Sequence, residues 1–230
     1  MLPQSASDSE AQNGRRRGHQ PGRPARPQRE RMLEAMLRVA AEKGYEATLV
    51  ADVARAAGVT EAVFFETFGD KEGCFLESYD AMIDLLVARV SNAFVGTVDC
   101  PWPERVGTGL RALVELLSSE PEIARMAMVE VTAIGEDTRE RYRAALDRFV
   151  PFLDEGRAYS GQGDALPADT ARLAVGGATS MIFEEVRAGR GAELERVLPE
   201  LVFAVLMPYL GSEKAGEEMR RVAGGQGRDA

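Results

Sequence analysis

After Asp70, the residues Phe75, Tyr79, Met82, Ile83, Leu86, Val87, Val90 and Phe94 recur mostly three and four apart. That is the period of one buried helical face. The pattern predicts one long helix, and because apolar patterns lie on both sides of it, a helix that joins two domains. Further helices are expected over 103–118, 121–134, 137–158, 169–188 and 199–210, punctuated by "DCPWP", "SSEP", "IGED", "SGQGDALP" and "AGRGAEL". No segment alternates convincingly with the two-residue period of a strand, and no internal repeat is visible. The expected fold class is all-α.

Upstream of the long helix the apolar pattern is broken into short pieces. Leu33, Met36, Leu37 and Ala40 mark a first helix that begins near Arg29, with Gly44 as its C-cap. Thr48 precedes "LVADVARAAG", where Val50, Val53, Ala54 and Ala57 supply a buried face and Gly58 permits a left-handed turn. Thr60 is an expected N-cap for a third helix, "EAVFFETF", with Glu61 at the positive end of its dipole. Two short helices joined at "AAGV" make a helix-turn-helix pattern. Taken alone, the pattern also fits an ordinary helical hairpin.

The bulk numbers narrow the function classes. The 230 residues are 45% hydrophobic, enough for a real core. No apolar run approaches the ~20 residues needed to cross a bilayer, and the amino terminus lacks a signal-peptide pattern; the expected location is cytoplasmic, without membrane contact. Cys74 and Cys100 have no partner in metal-ligand spacing, and His19, the sole histidine, sits in a Pro/Gly/Arg segment. No metal or cofactor is expected, and the cysteines read as free thiols. The net charge of −9 divides unevenly: residues 1–31 carry +4, with seven arginines, and the remainder −13. A basic arm on an acidic body suits a chain that meets a polyanion at one end, although a solubilising tail has the same composition.

The stretch from "RERMLEAMLRVAAEKGYEAT" through "LVADVARAAGVT" and "EAVFFETFGDKEGCF" resembles the amino-terminal domain of the TetR family of transcriptional regulators, over roughly residues 29–80. The resemblance implies a small three-helix DNA-binding domain followed by a larger helical domain for ligand binding and dimerisation. The second helix then braces on the DNA backbone while the third enters the major groove. Carried over by position, the DNA-facing residues are Arg26, Arg29, Thr48, Thr60, Glu61, Ala62, Val63, Phe65, Thr67 and Lys71, with Thr48 and Lys71 at phosphate-contacting positions. The sequence departs from the family at Phe65, where a phosphate-binding tyrosine is common, and at Thr67, where His or Tyr is common. Four carboxylates, Glu61, Glu66, Asp70 and Glu72, face a single Lys71 over this stretch. The arginine arm offers compensation, because each phosphate it neutralises releases counterions. Phe64 and Phe68 match positions that pack the third helix into its own domain.

The resemblance also implies a homodimer and a small-molecule effector. Small residues in "RLAVGGATSMIFEEV" and the apolar "PELVFAVLMPYL" nominate Ala174, Gly177, Ala178, Met181, Val202, Val205 and Tyr209 for the dimer interface, with a wholly intramolecular core as the competing account. Phe94, Trp102, Met126, Glu130, Tyr142, Phe149 and Met181 are candidates for a largely apolar effector pocket. The division expected is a disordered basic arm (1–28), a DNA-binding domain (29–74), a ligand-binding and dimerisation domain (75–211) and a flexible tail (212–230). Function is then expected to be that of a ligand-responsive regulator, a repressor that binds double-stranded operator DNA and is released by its effector. Two alternatives stand: an interaction module that keeps the fold without binding DNA, and a helical enzyme using Glu130 or the pair Glu184 and Glu185. The enzyme reading lacks a nucleophile, metal cluster or phosphate loop.

Overall fold

The computed structural model describes residues 27–161 and 165–225. Among them every regular element is helical. α1 (Gln28–Lys43), α2 (Val50–Ala57) and α3 (Glu61–Phe68) form a small unit, and α4 (Lys71–Val95) leads out of it. Local chemistry sets each boundary. Gly44 adopts φ 84° after α1, and Gly58 closes α2 in the left-handed conformation at φ 67°, ψ 42°, where a Cβ is disfavoured. The Thr60 side chain accepts the Val63 N–H at 3.3 Å to open α3, and the Asp70 carboxylate accepts the Gly73 N–H at 2.7 Å to open α4.

Phe64 is fully buried and meets Phe68 at a 5.5 Å ring separation, so α3 is seated by its aromatic side, as expected. This core does not stop at the three helices. Phe75, Tyr79 and Ile83 of α4 belong to it, together with Met126, Ala127, Val131 and Ala145 from much later in the chain. The small unit therefore shares its hydrophobic core with the larger one.

The larger unit contains α5 (Trp102–Ser119), α6 (Pro121–Arg125), α7 (Val131–Ile134), α8 (Glu136–Asp147), α9 (Val150–Asp154), α10 (Thr170–Arg187) and α11 (Leu198–Gly225). A π-helical turn, Met126–Glu130, joins α6 to α7, and 3₁₀ turns follow α9 and precede α11. The single helix expected over 137–158 is instead broken between α8 and α9. Pro151, which has no backbone N–H, lies in the first turn after the break. Trp102 anchors the second core: its indole N–H donates to the Phe152 carbonyl at 2.9 Å, and its ring lies 5.1 Å from that of Tyr209. A Cβ on Gly156 would overlap the Trp102 ring; this close approach requires glycine.

The carboxyl end corrects the expected tail. After Pro208 and a break at Gly211 (φ 78°, ψ 170°) the chain continues helically to Gly225. Ala215 and Val222 are buried there, and Arg221 pairs with Glu104 at 3.4 Å, which ties this segment to α5. Residues 226–230, and the arm before residue 27, lie outside the described residues.

Candidate nucleic-acid interface and effector cavity

Because Phe64 faces inward, α3 turns Glu61, Ala62, Phe65, Glu66 and Thr67 to solvent, with Val63 half-buried. Phe65 is 48% exposed. It contacts Phe64 edge-on at 5.8 Å. The Thr67 hydroxyl donates to the Val63 carbonyl at 2.7 Å, so the side chain folds back on α3. Thr60 is engaged as the helix cap.

Two nominated phosphate ligands are placed differently from expectation. Thr48 is fully buried and its hydroxyl donates to the Gly44 carbonyl at 2.8 Å; it stitches the α1–α2 loop, and its side chain cannot reach a phosphate from there. Lys71 donates to the Tyr45 carbonyl at 3.1 Å and sits 4.2 Å above the Tyr45 ring. Its ammonium is thereby held against the loop, half-buried rather than projecting. Burial, and then Glu72, Glu46 and Asp70, push the Tyr45 phenol up to about 12. Arg29 pairs with Glu77 and lies 5.5 Å over the Phe68 ring, and Arg26 is outside the described residues. Sequence reasoning passed over Lys43 and Arg55, which flank Asp52 on one exposed side of the α1–α2 unit, and Leu49, which is 62% exposed at the start of α2. The sequence signal was available in "EKGYEATLVADVAR", where both cations fall within seven residues of the α2 start.

Below this head, α4 becomes one wall of a cavity of about 840 Å³, within the range usual for small-molecule sites. Met82, Leu86, Val90 and Phe94 line it from α4, Leu110, Leu113 and Leu117 from α5, and Val175, Ala178 and Ile182 from α10. Of the nominated pocket residues, Phe94, Tyr142 and Phe149 line this cavity. Four do not. Trp102 is core, sealed between Gly156 and Tyr209; Met126 is buried in the shared core of α1 and α4; Met181 packs against the second core. Glu130 is ion-paired with Arg125 beside Gly44, and that partner accounts for a carboxylate in an apolar run. The residues missed include four leucines of α5, Leu110, Leu113, Leu116 and Leu117, which composition alone cannot tell from core.

The interface nominations divide in the same way. Ala174, Ala178, Val202, Val205 and Tyr209 are buried inside the chain's own fold, so none presents a surface to a second chain. These five side chains pack within the chain's own core. Gly177 is exposed, and a Cβ built on it meets nothing within 4 Å; Leu173 at 72% and Met207 at 44% exposure lie on the outer faces of α10 and α11. Met181 is half-buried.

Both cysteines are free thiols, Cys74 buried and Cys100 partly exposed. Burial pushes the Cys74 thiol up to about 12, and among the described residues no three His, Cys, Asp or Glu side chains gather as a metal site. Among the described residues, no helix is long and apolar enough to cross a membrane.

Residues 32–78 match the model of bacterial regulatory proteins of the tetR family, which is the helix-turn-helix unit and the start of α4. Solved structures similar to this chain include the fatty acid degradation regulator FadR from Bacillus halodurans, with 19% identity, TM-score 0.66, and coverage of 83% of this chain and 99% of that one. Another is FadR from Bacillus subtilis in complex with stearoyl-CoA, with 17% identity, TM-score 0.64, and coverage of 79% and 98%. A TetR-family transcriptional regulator from Bordetella parapertussis matches at 18% identity and TM-score 0.56, over 80% and 95% of the two chains. No curated protein sequence matches significantly. The amino-terminal unit thus carries the TetR-family signature, and the chain as a whole has the fold of these regulators.

Proposed function

We propose that the protein is a dimeric, ligand-responsive transcriptional repressor that binds a pseudo-palindromic operator and releases it when an effector occupies the α4–α5 cavity. The observation that carries this reading is the course of α4. Its first turn is capped by Asp70 at the base of the third helix, and later residues, Met82, Leu86, Val90 and Phe94 among them, wall the cavity. A molecule wedged against Met82, Leu86, Val90 and Phe94 must displace a helix whose other end is packed with Phe64 and Met32 in the amino-terminal core. In a dimer, such a displacement changes the separation of the two heads, which operator half-sites about one DNA turn (~34–36 Å) or a multiple apart would sense. The outward faces of α10 and α11, with Gly177, Leu173 and Met207, support close approach of a second copy.

The test is a gel shift on DNA from the protein's own promoter region, repeated with increasing effector. Binding in its absence and release in its presence are the expected results. Gly177→Leu, which has room inside the monomer, is expected to give folded monomers by sedimentation and weak operator binding. A normal dimer mass would place the interface elsewhere.

One observation favours a second reading. The exposed face of α3 carries Glu61 and Glu66 and no cation, which repels phosphate unless the arginine arm supplies compensation. A fold that serves protein contacts without DNA would show no shift with any fragment of the promoter at low salt.

A further inference from the structure

The cavity walls have one chemical character, and their charged members have one sign. Apart from leucine, isoleucine, valine, methionine, phenylalanine, alanine and glycine, the lining holds four hydroxyl side chains and four charged ones. The charged four are Glu30, Glu34, Asp84 and Glu120, all exposed and therefore at the margin. Among the described residues, neither lysine nor arginine lines it. A neighbouring cation, Arg148, is already paired with Asp84 at 2.7 Å. Inside, Ser78 donates to the Cys74 carbonyl at 2.7 Å and Tyr79 to the Ala127 carbonyl at 3.5 Å. Tyr142 and Thr179 are the other hydroxyls. Burial pushes the Tyr142 phenol up, so it meets a ligand as a neutral hydrogen-bond donor.

We propose that the effector is an uncharged lipophile: a hydrocarbon body filling the cavity, with at most a neutral oxygen function, such as an alcohol or ester, hydrogen-bonded to the Tyr142 hydroxyl. The inference rests on the cavity being the effector site. A carboxylate or phosphate drawn between these walls would shed hydration without gaining a cation, and one left at the mouth finds Arg148 already held by Asp84. This separates the protein from the B. subtilis regulator, whose stearoyl-CoA ligand carries an anionic head. A cationic head finds carboxylates only at the solvated margin, where ion pairs add little.

The experiment is displacement of the neutral dye Nile red from the full-length dimer by a series with a common twelve-carbon chain: dodecanol, methyl dodecanoate, dodecanoate, dodecanoyl-CoA and dodecylammonium. Dodecanol and the ester are expected to displace the dye at about tenfold or more lower concentration than either anion. Tyr142→Phe is expected to weaken dodecanol about two- to tenfold, the loss of one hydrogen bond, after correction for the dye affinity measured on the same variant. Equal or tighter binding of dodecanoate or dodecanoyl-CoA overturns the proposal, as does dodecylammonium displacing better than dodecanol. Dye binding that survives Val90→Trp and yields to no member of the series overturns the effector-site reading itself, a failure distinct from a wrong order of head groups.

Discussion

The two halves of α4 lie in unlike surroundings. Near its amino end, Cys74 and Phe75 lie in one core with side chains from α1, from the π turn and, at Tyr45, from the intervening loop, with the Tyr45 and Phe75 rings 4.8 Å apart. Near its carboxyl end, Leu86, Val90 and Phe94 face the cavity, and Leu85 is 72% exposed at its margin. Close-packed interiors transmit displacement and resist changes of volume, whereas a wall that borders a cavity has space into which it can move. One helix thus combines a stiff attachment at the reading head with an adaptable wall at the other end. The contrast teaches how, in the regulator proposed above, a single element would both hold the head and respond to a small molecule.

Four perturbations break or sharpen that contrast. The largest effect is expected at the stiff end, where Phe64→Ala removes a fully buried ring and should cost about 3–5 kcal/mol in a denaturant titration, with loss of operator binding. A cost under about 1 kcal/mol would mean that the head is as pliable as the cavity wall. Deleting residues 1–26 removes Arg15, Arg16, Arg17, Arg23 and Arg26 and should lower the slope of log affinity against log salt by up to about 4.5, with thermal stability little altered. An unchanged slope would remove the arm from DNA binding. Gly58→Ala places a Cβ at φ 67° and should cost about 1–2 kcal/mol, read as a lowered unfolding midpoint; there is space around the site, so strain alone is being measured. Finally, Phe65→Tyr adds a hydroxyl to an exposed ring and should tighten binding about two- to tenfold for all DNA sequences alike. A gain confined to one sequence would show the ring reading bases instead.

The same contrast marks how far the chain could be read without coordinates. The head was legible residue by residue: Gly44, Gly58 and Thr60 terminate or open helices where expected, and Phe64 is core. Thr48 and Lys71 were not, because a threonine or lysine near a helix start serves a phosphate or its own backbone equally well. The choice depended on where the Gly44 and Tyr45 carbonyls lie. At the cavity, helical periodicity marked Phe94, Tyr142 and Phe149 as candidates but ranked Trp102 and Met126 beside them. Which bulky side chain meets open space depends on how distant helices cross.

What the sequence determined by itself was the set of helices and most of their ends, because the 3.6-residue period, side-chain caps and left-handed glycines act within about four residues of where they are read. Tertiary structure alone decided that the segment after Gly211 docks on α5 through Val222 and Arg221, that Val202, Val205 and Tyr209 close the chain's own core, and that leucines of α5 line a cavity. A polar, glycine-rich segment looks free until a partner more than a hundred residues away supplies the surface it covers. A leucine looks the same in a core, a cavity or an interface, since burial is a property of what surrounds a side chain and not of the side chain.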